Sequence, residues 1–259
     1  MLTFLPYIFL FLIGLVLGSF LNVLIERLPN DESIIAPGSH CPNCKHPVRI
    51  YDNIPLISYL ILRGKCRDCG EPISIHYPIV ESVTGLVLAG LFWADGLSIE
   101  FLSHALLILF LIPIAWIDLK TFLILNKLTI PAFILGVVMA FAFQFESILN
   151  ILLGTVSGGG LLLIFGFLGK IIFKKDSMGM GDVKLMMVVG VFVGFPEVMI
   201  ILMFGVYLAA IYILTGLVLR KIKLGDTIPF GPFLALGTLV YLLWGEAIVQ
   251  GYLHMIAFT

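Results

Sequence analysis

The sequence predicts an all-α polytopic membrane protein with about eight transmembrane helices and one small polar lobe inserted after the first helix. Of its 259 residues, 60% are hydrophobic and only 12% are charged, whereas soluble domains carry about 25% charged residues. The mean hydropathy is +1.13, and several apolar runs approach or exceed the roughly 18 residues that identify a membrane span. This composition excludes a soluble enzyme, a disordered chain and a secreted disulfide scaffold.

Eight apolar runs define the predicted helices. They are Phe4–Ile25, Tyr77–Ala94, Phe101–Ile117, Leu128–Phe143, Ile148–Leu168, Val183–Phe195, Val198–Leu219 and Phe230–Ala257. Between the first two lies the long polar segment of residues 26–76. The predicted domains are therefore residues 1–25 as a first membrane helix, 26–76 as a soluble lobe, and 77–259 as a seven-helix membrane domain.

The basic residues orient these helices. When the loops are numbered alternately, all 15 Lys and Arg residues fall on one side of the membrane. They are Arg27, Lys45, Arg49, Arg63, Lys65, Arg67, Lys120, Lys127, Lys170, Lys174, Lys175, Lys184, Arg220, Lys221 and Lys223. The opposite loops carry the acids Asp95, Glu100, Glu146 and Glu197. The positive-inside rule places the basic loops in the cytoplasm and both termini outside. The short sixth run is needed as a crossing, since otherwise the last basic cluster would change sides.

All four cysteines lie in the lobe as two C-x2-C pairs, Cys41/Cys44 and Cys66/Cys69. This spacing resembles a zinc ribbon, in which each pair supplies two thiolates to a tetrahedral site. A small lobe that is poor in large apolar residues would gain stability from such a crosslink. Two disulfides or four unrelated thiols are the alternatives, and the cytoplasmic placement argues against disulfides. We expect a structural zinc site.

Two aspartates lie at the cytoplasmic ends of predicted spans. Asp118 ends the third span and Asp182 begins the sixth, within Gly179-Met-Gly-Asp182. Acids are rare in membrane segments. Singly, Asp182 could cap its helix and Asp118 could be a solvated terminal acid. Two acids at matching depth instead favour a pair that shares a proton and activates water, as in aspartic proteases.

The helix ends suggest a role for each aspartate. A helix N-terminus favours the carboxylate of Asp182, and a helix C-terminus favours the protonated form of Asp118. The hypothesis at this stage is that Asp182 is the base and Asp118 the acid.

Other polar and small residues in the apolar runs have structural interpretations. The glycines of residues 154–160 lie inside a span, so they predict close helix packing rather than a nucleotide-binding loop. Gly18, Asn22 and Glu26 share one helix face, which either packs on another helix or forms a polar groove for substrate or methyl donor. Glu81 and Glu246 are expected to form hydrogen bonds inside the bundle.

The ordered motifs resemble those of bacterial type IV prepilin peptidases. They comprise Gly18-Ser-Phe-Leu-Asn22, the two C-x2-C pairs, Asn53-Ile-Pro55, Tyr77-Pro-Ile-Val-Glu81, Asp118, Gly179-Met-Gly-Asp182-Val-Lys184 and Pro229-Phe-Gly-Pro232. One departure is Leu125, which stands where the family typically carries proline before an Asn or Asp; Asn126 is present.

The resemblance implies a bifunctional enzyme of the bacterial inner membrane. It would cleave the basic leader of type IV prepilins and type II secretion pseudopilins at the cytoplasmic face, with Asp118 and Asp182 as the catalytic pair. It would then methylate the new N-terminal amine with S-adenosylmethionine, a function associated with the N-terminal part of the family. No residues for the methyl donor can be assigned from the motifs.

Two other functions remain open at this stage. A proton-coupled transporter would also use intramembrane acids and short glycine-broken helices, although acids at the membrane edge and the lack of an inverted repeat weaken it. A non-catalytic assembly factor would leave the aspartate pair unexplained. The formal net charge of -1 implies no nucleic-acid partner.

Overall fold

A computed structural model describes residues 4–143, 147–174, 179–223 and 225–257. These residues form nine α-helices, with short 3-10 turns, two isolated β-bridges and no β-strand. The helices are α1 (Leu5–Arg27), α2 (Ile57–Ile61), α3 (His76–Asp95), α4 (Ile99–Thr121), α5 (Asn126–Phe143), α6 (Ile148–Phe173), α7 (Met180–Val193), α8 (Glu197–Val218) and α9 (Gly231–Ala257). The predicted all-helical fold is confirmed. Glu146 and Lys175, which the topology prediction uses, lie outside the described residues.

Seven of the described helices are long and apolar enough to cross a membrane. They are α1, α3, α4, α5, α6, α8 and α9. The predicted sixth span corresponds to α7, which has 14 residues and covers about 21 Å. A bilayer core is about 30 Å thick, so α7 is shorter than a full crossing, and among the eight apolar helices described it alone is not a candidate span.

The chain divides into two compact units, Met1–Trp93 and Ala94–Thr259. The first unit contains α1, the cysteine-bearing segment, α2 and most of α3. The sequence placed a boundary after residue 76 instead, with α3 in the C-terminal domain. The assignment of separate functions to these domains stays a prediction.

In the first unit, α1 packs closely against α3. A Cβ atom added at Gly18 would lie 2.7 Å from Cα of Glu81 and 3.0 Å from Oγ1 of Thr84. Small residues allow membrane helices to approach each other in this way. Gly18 is therefore a packing position of α1.

In the second unit, α7 lies at the centre of the bundle and contacts α4, α5, α6, α8 and α9. Most of its residues are buried, including every one from Val188 to Val193. A helix that is apolar on all sides is typical of a buried core element. The surrounding helices thus hold the short α7, and with it Asp182, inside the bundle.

The contact between α6 and α7 depends on glycine. A Cβ atom at Gly154 would lie 2.5 Å from the carbonyl oxygen of Gly190. At Gly158 it would lie 2.7 Å from the carbonyl oxygen of Met186. These distances confirm the predicted close packing at Gly154 and Gly158, whereas a Cβ atom at Gly160 would meet nothing within 4 Å.

Candidate functional site

Asp118 and Asp182 come together in the second unit from two different helices. Asp118 lies in the last turn of α4 and is only 5% exposed. Asp182 lies in the first turn of α7 and is half-buried. The two carboxylates are close enough to interact electrostatically. Two neighbouring carboxylates disfavour double ionisation, so ionisation of one aspartate opposes ionisation of the other.

The N-terminus of α9 contacts this pair through Asp118. The backbone N–H of Gly231, the first residue of α9, donates a hydrogen bond to Oδ2 of Asp118 at 2.9 Å. The positive end of a helix dipole stabilises negative charge placed there. The sequence alone assigns no role to the motif Pro229-Phe-Gly-Pro232. Here this motif supplies a donor to a carboxylate 113 residues earlier in the chain.

Close approach at the site requires two glycines. A Cβ atom at Gly231 would lie 2.7 Å from Oδ2 of Asp118. A Cβ atom at Gly181 would lie 2.8 Å from Cβ of Ile124. Since real Cβ atoms do not approach neighbours that closely, any larger residue at either position would displace the groups around the aspartates.

The loop between α4 and α5 is tied to the start of α7. Nζ of Lys184 donates a hydrogen bond to Oδ1 of Asn126 at 2.9 Å, which joins the first residue of α5 to α7. The carbonyl oxygen of Leu125 accepts bonds from the N–H groups of Leu128 and Thr129. Leu125 is thus the N-cap residue of α5. The proline typical of the family would stand at this same position.

The four cysteines cluster in the first unit. The sulfur atoms of Cys41, Cys44, Cys66 and Cys69 all lie within 4.8 Å of one another, and all four thiols are free. Each C-x2-C pair is followed by a residue with positive φ, Lys45 at 59° and Gly70 at 73°. The predicted clustering is confirmed, and these four sulfurs could hold one metal ion.

Backbone hydrogen bonds give the two cysteine turns the same shape. In the first turn, the N–H of Lys45 donates to the carbonyl of Cys41 at 2.9 Å. In the second, the N–H of Gly70 donates to the carbonyl of Cys66 at 2.9 Å. Each turn is closed by an isolated β-bridge just outside it. Because the two turns have the same geometry, two sulfur atoms from each turn lie close to a common centre.

The thiols of Cys41 and Cys44 differ in pKa. A hydrogen bond from the backbone of Cys44 lowers the pKa of the Cys41 thiol to about 7. At Cys44, a bond from the backbone of His46 lowers the pKa, but desolvation and the neighbouring sulfurs outweigh it and raise the value to about 11. Because a metal binds the thiolate form, a bound cation would favour loss of the proton from Cys44.

Buried polar groups connect α1 and α3. Glu81 is 7% exposed, and its Oε2 accepts the N–H of Leu56 at 2.8 Å, so it is hydrogen-bonded, but this bond joins it to the segment before α2. Asn22 is 2% exposed, and its Nδ2 donates to the carbonyl of Tyr77 at 3.1 Å. Among the described residues, Asn22 Oδ1 finds no hydrogen-bond partner. One buried acceptor in this unit is thus unsatisfied.

Comparisons with known proteins cover both units. A family profile described as Bacterial Peptidase A24 N-terminal domain matches residues 12–94. A second, described as Type IV leader peptidase family, matches residues 105–214. No solved structure matches the chain significantly.

Several curated relatives carry the name Prepilin leader peptidase/N-methyltransferase. The protein from Aeromonas hydrophila is 33% identical over 276 residues, which cover 96% of this chain and 95% of the relative. That from Pseudomonas aeruginosa is 33% identical over 270 residues, covering 95% and 93%. That from Myxococcus xanthus is 37% identical over 198 residues, and the match covers 76% of this chain but 59% of that relative. Because the identity extends over nearly the full length of two of these proteins, the resemblance inferred from the motifs is confirmed, and the chain belongs to the type IV leader peptidase family.

Proposed function

We propose that the chain is a membrane aspartic peptidase of the bacterial inner membrane that cleaves the leader of type IV prepilins and type II secretion pseudopilins. Asp118 and Asp182 are its catalytic pair. The observation that carries the proposal is their convergence from α4 and α7 in the second unit, beside the N-terminus of α9. The names of the relatives support the substrate class.

The hydrogen bond from Gly231 favours an assignment of roles opposite to the one based on helix ends. A backbone N–H that donates to Oδ2 of Asp118 stabilises the charged form of this carboxyl group. Asp182 then holds the shared proton. We therefore assign Asp118 as the initial base and Asp182 as the initial acid. Carboxyl carbon chemical shifts of the two aspartates, measured by NMR on the resting protein, test this; a protonated Asp118 would overturn it.

The proposed reaction needs no covalent intermediate. Asp118 takes a proton from water as the water oxygen bonds to the scissile carbonyl carbon, and Asp182 gives its proton to the carbonyl oxygen. These transfers give a tetrahedral intermediate with two hydroxyl groups on the former carbonyl carbon. As the intermediate collapses, Asp182 recovers a proton from one of these hydroxyl groups. Asp118 gives its proton to the nitrogen as the C–N bond breaks. Both aspartates return to their starting states.

The proposed topology places this reaction at the cytoplasmic face. With the short α7 counted as a crossing, the basic loops lie inside and both termini lie in the periplasm, in accord with the distribution of Lys and Arg. A prepilin would enter with its apolar helix in the bilayer and its basic leader in the cytoplasm. The scissile bond would then reach the half-buried Asp182 at the membrane boundary.

The metal in the cysteine lobe is proposed to be zinc with a structural role. Tetrahedral zinc with Zn–S bonds of about 2.3 Å separates its sulfurs by about 3.8 Å. Sγ of Cys41 and Sγ of Cys69 are 3.8 Å apart. Bound zinc would link the two cysteine turns, and with four thiolates it leaves no ligand position for a substrate.

The second proposed activity is N-methylation of the new N-terminal residue, in accord with the relatives' names. S-adenosylmethionine supplies, when bound, an electrophilic methyl group. The unpartnered Oδ1 of Asn22 fits a ligand that carries N–H groups, such as this donor, and so we propose that Asn22 helps to hold it. Asn22 thereby becomes a candidate where the motifs alone assigned no residue.

Mass spectrometry of a prepilin incubated with the purified protein in lipid and S-adenosylmethionine tests the whole proposal. Wild type should remove the leader and add the mass of one methylene. Asp118→Asn and Asp182→Asn should each lower cleavage by about 10²–10⁴-fold or more, whereas Asp226→Asn, an exposed acid of the same unit, should cleave normally. Wild-type rates in either catalytic-pair variant, or no cleavage of several prepilins by folded wild type, would contradict the peptidase.

A further inference from the structure

A cavity of about 440 Å³ lies in the second unit, away from the aspartate pair. Its lining includes Glu100 and Ser103 of α4, Glu197 of α8, and Tyr241 and Glu246 of α9. Glu100 lies in the first turn of α4 and Asp118 in the last, so the two acids are separated by about 27 Å along the helix. The proposed peptidase mechanism makes no use of this cavity.

The cavity has an excess of negative charge. Its described lining contains three glutamates and neither lysine nor arginine. The imidazole of His104 also lines it, but Nδ1 of His104 pairs with Oδ2 of Asp95 at 2.8 Å. A protonated His104 would pair with Asp95 and would also interact with Glu100, so in the described part of the lining only Glu197 and Glu246 have no cationic side chain beside them.

Two polar atoms at the cavity lack partners within the described part of the chain. Ser103 is 1% exposed, and its Oγ makes no hydrogen bond there; neither does the buried Oε2 of Glu197. Thr238, also buried in this unit, shows the usual alternative, because its hydroxyl donates to the carbonyl of Leu234 at 2.8 Å. A buried oxygen left without a partner is costly, so these two oxygens indicate a ligand.

Helix dipoles explain the positions of only two of the three glutamates in the cavity. Glu100 and Glu197 lie in the first turns of α4 and α8, where a helix dipole stabilises an acid. Glu246 lies in the body of α9, and Gln250 donates one bond to it at 3.3 Å. The C-terminal end of α7, at Val193, also lines the cavity, and the negative end of a helix dipole favours a cation.

We propose that this cavity binds a partly hydrated divalent cation of the magnesium and calcium class, with Glu197 and Glu246 as its main protein ligands. Carboxylate and hydroxyl oxygens are the donors that these ions prefer. Among the described residues, the only set of three or more ligand atoms that already converge is the cysteine cluster. The glutamates therefore reach the ion in part through water, which the cavity volume accommodates and which magnesium commonly retains. The bound ion lies between the N-terminal ends of α4 and α8, the C-terminal end of α7 and the body of α9.

Equilibrium dialysis with radioactive calcium, and competition by magnesium, test the site on the full chain in zwitterionic lipid nanodiscs. The zinc-loaded protein is used in chelator-free buffer, because the soft thiolate site does not select these hard ions. Wild type should bind one ion per chain with a dissociation constant of about 10⁻⁴–10⁻³ M, as in extracellular calcium modules. Glu246→Gln and Glu197→Gln should each weaken binding by about 10–100-fold.

Glu32→Gln is the matched control, because Glu32 is exposed and lies in the first unit. It should bind calcium as wild type does. If Glu246→Gln fails to fold, Glu197→Gln supplies the same comparison from α8. The site is refuted if wild type binds neither ion at millimolar concentration, or if both glutamate variants and the control bind equally well.

Discussion

Gly231 and Asp118 form a backbone-to-carboxylate hydrogen bond of 2.9 Å across 113 residues of sequence. The bond ties the first residue of α9 to the last turn of α4. It also explains why position 231 carries glycine, because a Cβ atom there would lie 2.7 Å from Oδ2 of the same carboxyl group. The position of Asp118 therefore depends on a residue that carries no chemistry of its own.

Gly231→Ala should lower prepilin cleavage by at least about tenfold, because misplacing a catalytic group by an ångström costs up to about 10²-fold. The added methyl group must push the Asp118 carboxylate aside or tilt the start of α9. Cleavage is measured by mass spectrometry at saturating prepilin, so that the loss appears in kcat.

Gly251→Ala is the control for this prediction, since Gly251 lies on the same helix and a Cβ atom there would meet nothing within 4 Å. It should cleave as wild type does. Equal rates for the two alanine variants would show that Gly231 does not position Asp118.

Leu125→Pro should preserve cleavage and raise the free energy of unfolding by about 0.4–1 kcal/mol, because proline restricts the unfolded chain. Leu125 begins α5 through its carbonyl oxygen, and no described residue accepts a hydrogen bond from its N–H. Proline at this N-cap position therefore removes no hydrogen bond, because the group it lacks is the N–H. Leu125→Ala separates the loss of the leucine side chain from the gain of the ring. A proline variant that unfolds more easily than the alanine variant would contradict this account.

The sequence predicted the elements of the site better than their connections. Apolar runs and loop charges led to the helices, and the matching depth of Asp118 and Asp182 led to their pairing. The donor from Gly231 could not be predicted, because a backbone N–H leaves no signature and no periodicity relates positions so far apart. The proposed roles of the two aspartates rest on the same bond, because the reasoning from each helix alone did not include the N-terminus of α9.

The length of α7 shows a second limit. Its apolar run is already short in the sequence, and the helix has 14 residues; what the sequence does not show is that α7 is enclosed by its neighbours. Hydropathy alone cannot distinguish a helix surrounded by lipid from one surrounded by other helices, because both are apolar on every side. In contrast, the spacing of Cys41, Cys44, Cys66 and Cys69 was sufficient to predict their cluster.

Purified protein should contain one zinc ion per chain, measured by elemental mass spectrometry, and Cys66→Ser should lose most of it. A zinc site with three thiolates and a hydroxyl is weaker, and metal binding by such lobes is coupled to their folding. Ser39→Ala, which leaves all four sulfurs in place, should retain zinc. A Cys66→Ser variant with full zinc content would show that the metal, if present, binds elsewhere.

Asn22→Ala should lower methylation of the cleaved product more than it lowers cleavage, because Asn22 lies in the first unit and the aspartate pair lies in the second. The two products differ in mass, so a single mass spectrum of the reaction reports both activities. Asn30→Ala removes an exposed amide that bonds to the carbonyl of Glu26 and should leave both activities unchanged. Equal losses of cleavage and methylation in Asn22→Ala would assign Asn22 to packing alone.

Gly154→Ala should destabilise the second unit by about 1–3 kcal/mol, the usual effect of overpacking. The added Cβ would lie 2.5 Å from the carbonyl oxygen of Gly190 and 2.8 Å from Cα of Gly194, and backbone atoms cannot rotate away as a side chain can. Gly160→Ala is the control on the same helix, because a Cβ atom at Gly160 would meet nothing within 4 Å; alanine there should be neutral or slightly stabilising. Thermal unfolding in detergent measures both variants. If Gly154→Ala unfolds at the temperature of Gly160→Ala, then the contact between α6 and α7 is looser than these distances require, and α7 is held in place mainly by its other neighbours.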